Sequence, residues 1–259
     1  AGYSLYHFSR IFNGATYHTP YSYLIRRRLA EAARALVTTD DLIIDIAFDY
    51  QFNSPETFTR ACRRVFDAPP SRLRDIGYLD PHRLMPALTA DHLAYLEANR
   101  ERLRPVFVNR QPLELAGLMT WLDAGAAPPV ELWARLDAAL LDAGAAAPRE
   151  RYAVRWYSPD WARYGFSYLA AVPTAALALL ETGVDLDATP LVRKTLSAGH
   201  YASFRHTGGA DDLPLLLDYV YHTWLPNADR ALAAPFVLEH HEGDGCTLFF
   251  PLVNPSPSR

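Results

Sequence analysis

The sequence predicts an α+β chain: an all-α N-terminal segment, then two strand–helix–strand–strand repeats that form an antiparallel sheet with helices on one face. Three observations predict it. A short pattern recurs fifty positions apart near the N-terminus, Ser4-Leu5-Tyr6-His7-Phe8-Ser9-Arg10 and Ser54-Pro55-Glu56-Thr57-Phe58-Thr59-Arg60. A longer order of alternating and helical periodicity occurs twice after residue 105. Half of the 259 residues are apolar, enough for a sizeable core, and the length favours two domains over one.

Ser4 and Ser54 each precede a helical first turn and suit an N-cap, because the hydroxyl accepts from a backbone N–H that lacks a partner in the helix. Behind them Leu5, Phe8, Ile11 and Phe12, and then Phe58, Ala61 and Val65, recur at helical spacing, so Arg10 and Arg60 fall off the apolar face and point outward. The run Asp40 to Ala47 followed by Phe52-Asn53-Ser54 reads as helix, tight turn, helix, in which the second helix enters a major groove and the first braces it. Ahead of the first copy only Ala1-Gly2-Tyr3 remains, so the chain is expected to begin inside the turn of a first such motif. Residues 77–104 form a connector broken by Pro81 and Pro86, with one amphipathic helix from Ala90 to Leu103.

In the second half, Pro112 to Met119 reads as a strand, Val130 to Leu141 as a helix, and Tyr152 to Tyr157 and Phe166 to Val172 as strands. The order returns as Val192 to His206 extended, Leu213 to Leu225 helical, then Phe236 to His241 and Cys246 to Leu252 extended. Tyr152, Val154 and Trp156 alternate with Arg151 and Arg155, the mark of a half-buried strand. Gly243-Asp244-Gly245 reads as a hairpin turn. Two such units side by side leave a groove between them.

Ten arginines face eight acids through Asp75, a balance of +2, and the whole chain carries −4, which leaves −6 for the rest. That sign suits a nucleic-acid-binding module joined to an acidic partner domain. Only Cys62 and Cys246 are present, one in each predicted domain, which argues against a disulfide framework and a cysteine-based metal site. His240 and His241 are strand neighbours that point to opposite faces, and His200, His206 and His222 lack ligand spacing, so no metal is expected. No apolar run reaches the length of a membrane span and no leader opens the chain, so a soluble cytoplasmic protein is expected.

Residues 1–76 resemble the DNA-binding domain of the AraC/XylS family of bacterial transcription regulators. The landmarks are Ser4 to Phe12, Tyr23-Leu24, Arg28-Leu29, Ala32, Ile43 to Ala47, Phe52 to Phe58, Arg60, and the exit from Phe66 through Pro69-Pro70-Ser71-Arg72 to Arg74. The family usually has Gly at the positions of Tyr17 and Gln51, where a left-handed backbone costs other residues roughly 1 kcal/mol or more. Residues 105–254 resemble the GyrI-like effector-binding domain, on Leu115 to Leu118, Leu132-Trp133, Tyr164 to Ala171, Ser197 to Gly208, Trp224-Leu225-Pro226, Leu238-Glu239 and Phe250-Pro251-Leu252; residues 255–259 form a tail.

The resemblance implies a transcriptional activator that binds double-stranded DNA, contacts RNA polymerase, needs no cofactor and answers to a small organic effector, lipophilic and often cationic. On the two recognition helices Tyr6, Ser9, Arg10, Glu56, Thr57, Thr59 and Arg60 occupy outward positions, with Arg63 and Arg64 beside them, for contact with bases or with phosphate. Arg26, Arg27 and Arg28 form either a solvated face or a phosphate contact. In the second domain the resemblance points to Glu239 as counter-charge, with Trp133, Trp156, Tyr168, Trp224, Phe236 and Phe250 lining the site. An internal ion pair or an edge position are the other readings of Glu239. A different class of function, a small-molecule hydrolase or sequestering protein with a vestigial DNA-binding domain, is the alternative.

Overall fold

Both serines close their helices as the pattern predicts. In the computed structural model Ser4 Oγ accepts from His7 N at 3.2 Å at the start of α1 (Leu5–Thr16), and Ser54 Oγ accepts from Thr57 N at 3.2 Å at the start of α4 (Pro55–Phe66). Between them lie α2 (Pro20–Thr38) and α3 (Ile43–Asp49), and α5 (Pro70–Ile76) follows. The structure describes residues 4–126, 129–144, 148–178, 191–209, 212–228, 230–243 and 245–254. They divide into two units, Ala1–Asn99 with Pro214–Asp229, and Arg100–Leu213 with Arg230–Arg259.

The first unit is centred on Leu29, Ala33, Leu36, Ile46, Phe52, Phe58, Cys62 and Phe66, all buried, with the Phe52 and Phe58 rings 4.9 Å apart. Among the described residues three with side chains hold a left-handed backbone: Tyr17 (φ 61°) ends α1, Gln51 (φ 61°) makes the turn into α4, and Asp67 (φ 59°) ends α4. Only part of the α1 stripe is buried: Phe12 packs on Tyr23 at 5.8 Å, while Leu5, Phe8 and Ile11 stay exposed. Among the described elements α1 packs against α2 and α6 (Ala90–Ala98). Helix α6 stops at Ala98, short of Leu103; Asn99 N makes an i→i−4 bond to Tyr95 O at its end, and the Asn99 side-chain amide donates to the same carbonyl at 3.0 Å.

The helix of the second repeat also belongs to this first unit. It runs as α10 (Leu213–Tyr219), a π-helical turn Val220–Trp224, and α11 (Leu225–Asn227). Pro226 explains the wide turn, since a proline has no N–H for the carbonyl four residues earlier and its ring crowds that oxygen. The carbonyl thus released is that of His222, and Arg26 Nη1 donates to it at 2.5 Å. That bond ties one nitrogen of the half-buried Arg26 guanidinium to its own unit. Arg27 is tied in too, to Met85 O at 2.7 Å and to Glu31. Around the same segment His18 Nε2 meets Thr223 Oγ1 at 3.0 Å, His92 meets Asp218 at 3.0 Å, and His82 stacks on Tyr221.

The second unit is an antiparallel sheet of eight strands in the order β1-β6-β8-β7-β3-β4-β2-β5. The strands are β1 (Val106–Arg110), β2 (Leu113–Leu122), β3 (Arg151–Trp156), β4 (Phe166–Pro173), β5 (Val192–Leu196), β6 (Gly199–His206), β7 (Phe236–Glu242) and β8 (Gly245–Leu252). Helix α7 (Val130–Asp142) packs on β2 and β4, and two short helices, α8 (Trp161–Tyr164) and α9 (Thr174–Ala178), flank β4. What the sequence reads as one extended run, Val192 to His206, is two strands. Each repeat lends its leading strand to the other half, β1 pairing with β6 and β5 with β2.

These two ladders share one register. Val106 faces Ser203, Arg110 faces Gly199, Leu113 faces Leu196 and Gly117 faces Val192. The pairing therefore continues across bends at 111–112 and 197–198, and β1–β2 and β5–β6 act as two long bent strands. With β4, β3, β7 and β8 they close a ring of six. Its inner side chains bury one another, as in a small barrel. Leu115, Tyr152, Val154, Leu169, Ala171, Leu196, Tyr201, Leu238 and Phe249 share that inner face by strand alternation and are all buried. Gly117 has a steric role there, since a Cβ would come within 2.0 Å of Ala170 O on β4.

Burial on both faces corrects the half-buried reading of β3. Arg155 is only 6 % exposed and lies among apolar neighbours, because β3 is a central strand covered on both sides.

Candidate nucleic-acid interface and ligand site

Helix α4 divides by side. Phe58, Cys62 and Phe66 are buried, at spacing four, and Glu56, Thr57, Arg60, Arg63 and Arg64 are exposed, with Thr59 half-buried between them. Pro55, Glu56, Thr59, Arg60 and Arg63 line one shallow hollow. The Glu56 carboxyl is held below its ordinary pKa by hydrogen bonding to Ser54 and to backbone, so it is a charged acceptor at neutral pH. No ion pair joins Glu56 to Arg60 among the described residues, which leaves the guanidinium fork of Arg60 presented outward. On α1, Tyr6 and Arg10 are exposed and Ser9 is half-buried. Such a face offers bidentate donors and a carboxylate acceptor, the groups that read guanine and cytosine edges.

The residues expected to line a ligand site in the second half do not form one cluster. Strand alternation puts Trp156 and Phe236 on the inner face, near Tyr201 and Phe249, with the Trp156 and Phe236 rings 6.4 Å apart. Tyr168, Glu239 and Phe250 lie on the outer face. Trp133 of α7 joins that outer group edge-on to His241 at 5.6 Å, whereas Trp224 lies in the π-helical turn of the first unit. Phe250 is fully buried and packs edge-on against Phe204. Sequence spacing cannot resolve this division, because the face of a residue depends on which strands pair and in what register.

Glu239 is 1 % exposed, and its carboxylate already has protein partners. Arg155 Nε donates to Oε1, and His241 Nε2 meets Oε2 at 3.1 Å. The internal ion pair is thus the reading of Glu239 that holds. Burial alone raises the carboxyl pKa, but the Arg155 charge and the His241 hydrogen bond outweigh it and hold the group down at about 2. Burial and the neighbouring carboxylate push the Tyr168 hydroxyl well above its usual range, and the same two causes raise the Cys246 thiol. The Arg155 guanidinium lies 5.4 Å from the Tyr168 ring, and Arg155 Nη2 and Tyr168 Oη are buried without a hydrogen-bond partner. The outer face therefore holds a buried donor pair, Arg155 and Tyr168, beside a neutralised carboxylate, with Trp133 half-buried over it.

Sequence reasoning missed Arg155 and Cys246. An arginine between Val154 and Trp156 in a strand with apolar neighbours was the available signal for the first. Cys246 had none, since only the hairpin register sets it opposite His241.

Comparison with known proteins follows the same division. Residues 1–76 match the family described as a helix-turn-helix domain, and residues 131–252 match the GyrI-like small molecule binding domain. Over 74 residues the chain is 46 % identical to the uncharacterized HTH-type transcriptional regulator YbfP of Bacillus subtilis and 43 % identical to the transcriptional regulator Rob of Salmonella typhimurium. Each match takes in 29 % of this chain, and 25 % and 26 % of those relatives, so the chain spans about a quarter of their length. It is 41 % identical over 86 residues to "Probable transcription factor PqrA" of Proteus vulgaris, which covers 33 % of this chain and 70 % of that protein. No helix among the described residues is long and apolar enough to cross a membrane.

Proposed function

Because this chain belongs to the AraC/XylS family of transcription regulators, with a GyrI-like domain after its helix-turn-helix segment, we propose that it is a ligand-responsive regulator that reads a bipartite DNA site. The observation that supports this best is the exposed polar side of α4, with Glu56, Arg60 and Arg63 standing over buried Phe58 and Cys62. Two recognition helices, α1 and α4, would enter successive major-groove segments about 34 Å apart. Activation by recruitment of RNA polymerase rests on the family resemblance.

The effector belongs, on this reading, to the second unit, at the outer-face group of Trp133, Tyr168, Arg155 and Glu239. It is a lipophilic organic molecule that stacks on Trp133. Since Arg155 already neutralises Glu239, a cation gains less here than at a bare carboxylate, and the unpartnered donors of Arg155 and Tyr168 favour an effector with a hydrogen-bond acceptor. Coupling to DNA needs the effector to prefer one state by only about 1 to 3 kcal/mol. The segment Pro214–Asp229 is the natural carrier, because it lies within the GyrI-like match and yet belongs to the unit of the helix-turn-helix.

Fluorescence anisotropy of the full chain on random duplex at two salt concentrations, followed by selection from a random pool, tests the reading. A regulator binds duplex with an affinity that falls steeply with salt and enriches one bipartite sequence. A hydrolase with a vestigial first domain binds no duplex and enriches nothing.

A further inference from the structure

Glu239, His241 and Cys246 each offer a ligand atom, and these atoms lie within 4.8 Å of one another. The register brings them together. Glu239 and His241 stand two apart on β7 and so share a face, and Cys246 on β8 is the direct cross-strand partner of His241. We propose that these three side chains bind a transition-metal ion of the zinc class, with a fourth position left to water.

The donor set is the first argument. Thiolate, imidazole and carboxylate are the ligands that zinc takes, at about 2.0 to 2.3 Å in a tetrahedron. A soft sulfur in the set selects Zn2+ or Co2+ over Mg2+ and Ca2+, which require oxygen ligands. Geometry is the second. Glu239 Oε2 and His241 Nε2 are already 3.1 Å apart, close to the ligand–ligand separation of a tetrahedral site, so the ion replaces the proton that they share. The sulfur, within 4.8 Å of both on the neighbouring strand, completes three protein ligands and gives its proton to solvent.

The surroundings are the third argument. Arg155 grips Oε1 of the same carboxylate, which leaves Oε2 directed at the ion and fixes its orientation. The His241 side chain is 35 % exposed and Cys246 is half-buried, whereas Glu239 is sealed, so an ion can reach the site past the imidazole. Metal binding at this site requires neither DNA nor an organic effector.

The test uses the full chain, reduced and stripped by a chelator, titrated with Co2+ and read by absorption. Expected are saturation at one equivalent, a near-ultraviolet thiolate-to-cobalt charge-transfer band, and its displacement by Zn2+ but not by Mg2+. Cys246→Ser should lose the band, and Cys62→Ala and Trp133→Ala should keep it. His241→Ala, at a more exposed position that disturbs folding less, should weaken Co2+ binding about tenfold or more. Absence of a charge-transfer band in the folded protein overturns the proposal. So does a band that survives Cys246→Ser, or unchanged affinity in His241→Ala. Because Trp133→Ala impairs the proposed effector contact but none of the metal ligands, failure of one reading is told apart from failure of the other.

Discussion

Arg60 is presented outward on α4 while the residue two positions before it, Phe58, is buried, so its fork can meet a guanine edge without moving the helix. Replacement by alanine should weaken binding to the selected duplex by about 1 to 3 kcal/mol and relax the preference at one base position. An unchanged sequence preference in a repeated selection would show that Arg60 touches only phosphate. Glu239 makes the opposite kind of contribution, inside the protein. Glu239→Gln leaves a buried guanidinium without its counter-charge and should cost about 3 to 5 kcal/mol in urea unfolding, while Glu239→Leu combined with Arg155→Met should recover much of that loss. The pH dependence has a definite sign. A carboxyl held at about 2 in the fold, against 4.5 ordinarily, contributes stability that is complete above 4.5 and disappears as pH falls toward 2. Stability curves of the wild type and of Glu239→Gln should therefore converge across that window.

At the scale of the element, the turn before α4 is one of the strained pieces. Gln51 holds φ 61° with its side chain exposed, a conformation that costs a non-glycine residue about 1 to 2 kcal/mol. Gln51→Gly should stabilise the chain by roughly 0.5 to 1 kcal/mol once the added freedom of the unfolded state is subtracted, a shift readable in thermal melts. This position also shows how much of the fold was legible in the sequence. Caps at Ser4 and Ser54, the tight turn at Gln51 and the helical stripes are local, and local rules find them. The clasp of β1 on β6, the pairing of Cys246 with His241 and the burial of Arg155 depend on register across the sheet, which no window of sequence contains. The predicted ligand residues divided between faces for the same reason. Glu239 and Phe236 are three positions apart in one strand, an odd separation, and so point to opposite sides.

For the molecule as a whole, the chain enters its first unit twice, at the start and again at Pro214–Asp229. The second entry is held by histidines. Burial, with the Arg26 and His222 charges, lowers the His18 pKa to about 4, and burial also lowers His82 to about 4 although Asp80 and Asp218 oppose it. Both are neutral in the fold and charged in the unfolded chain between about 4 and 6.5. Their contribution is complete above 6.5 and is lost as pH falls toward 4. Hydrogen exchange of α2 and of the π-helical turn should accelerate together through that window, and His18→Asn should flatten the response.

The exchange of leading strands between the two repeats has a consequence for how the second unit can come apart. A cut in the backbone between Ala178 and Leu191 separates two fragments that each keep hold of the other through a borrowed strand, β1 in one direction and β5 in the other. The severed halves should co-purify under native conditions and part only in denaturant, and either half expressed without its mate should aggregate, since its ring stays open and its sheet edges bare.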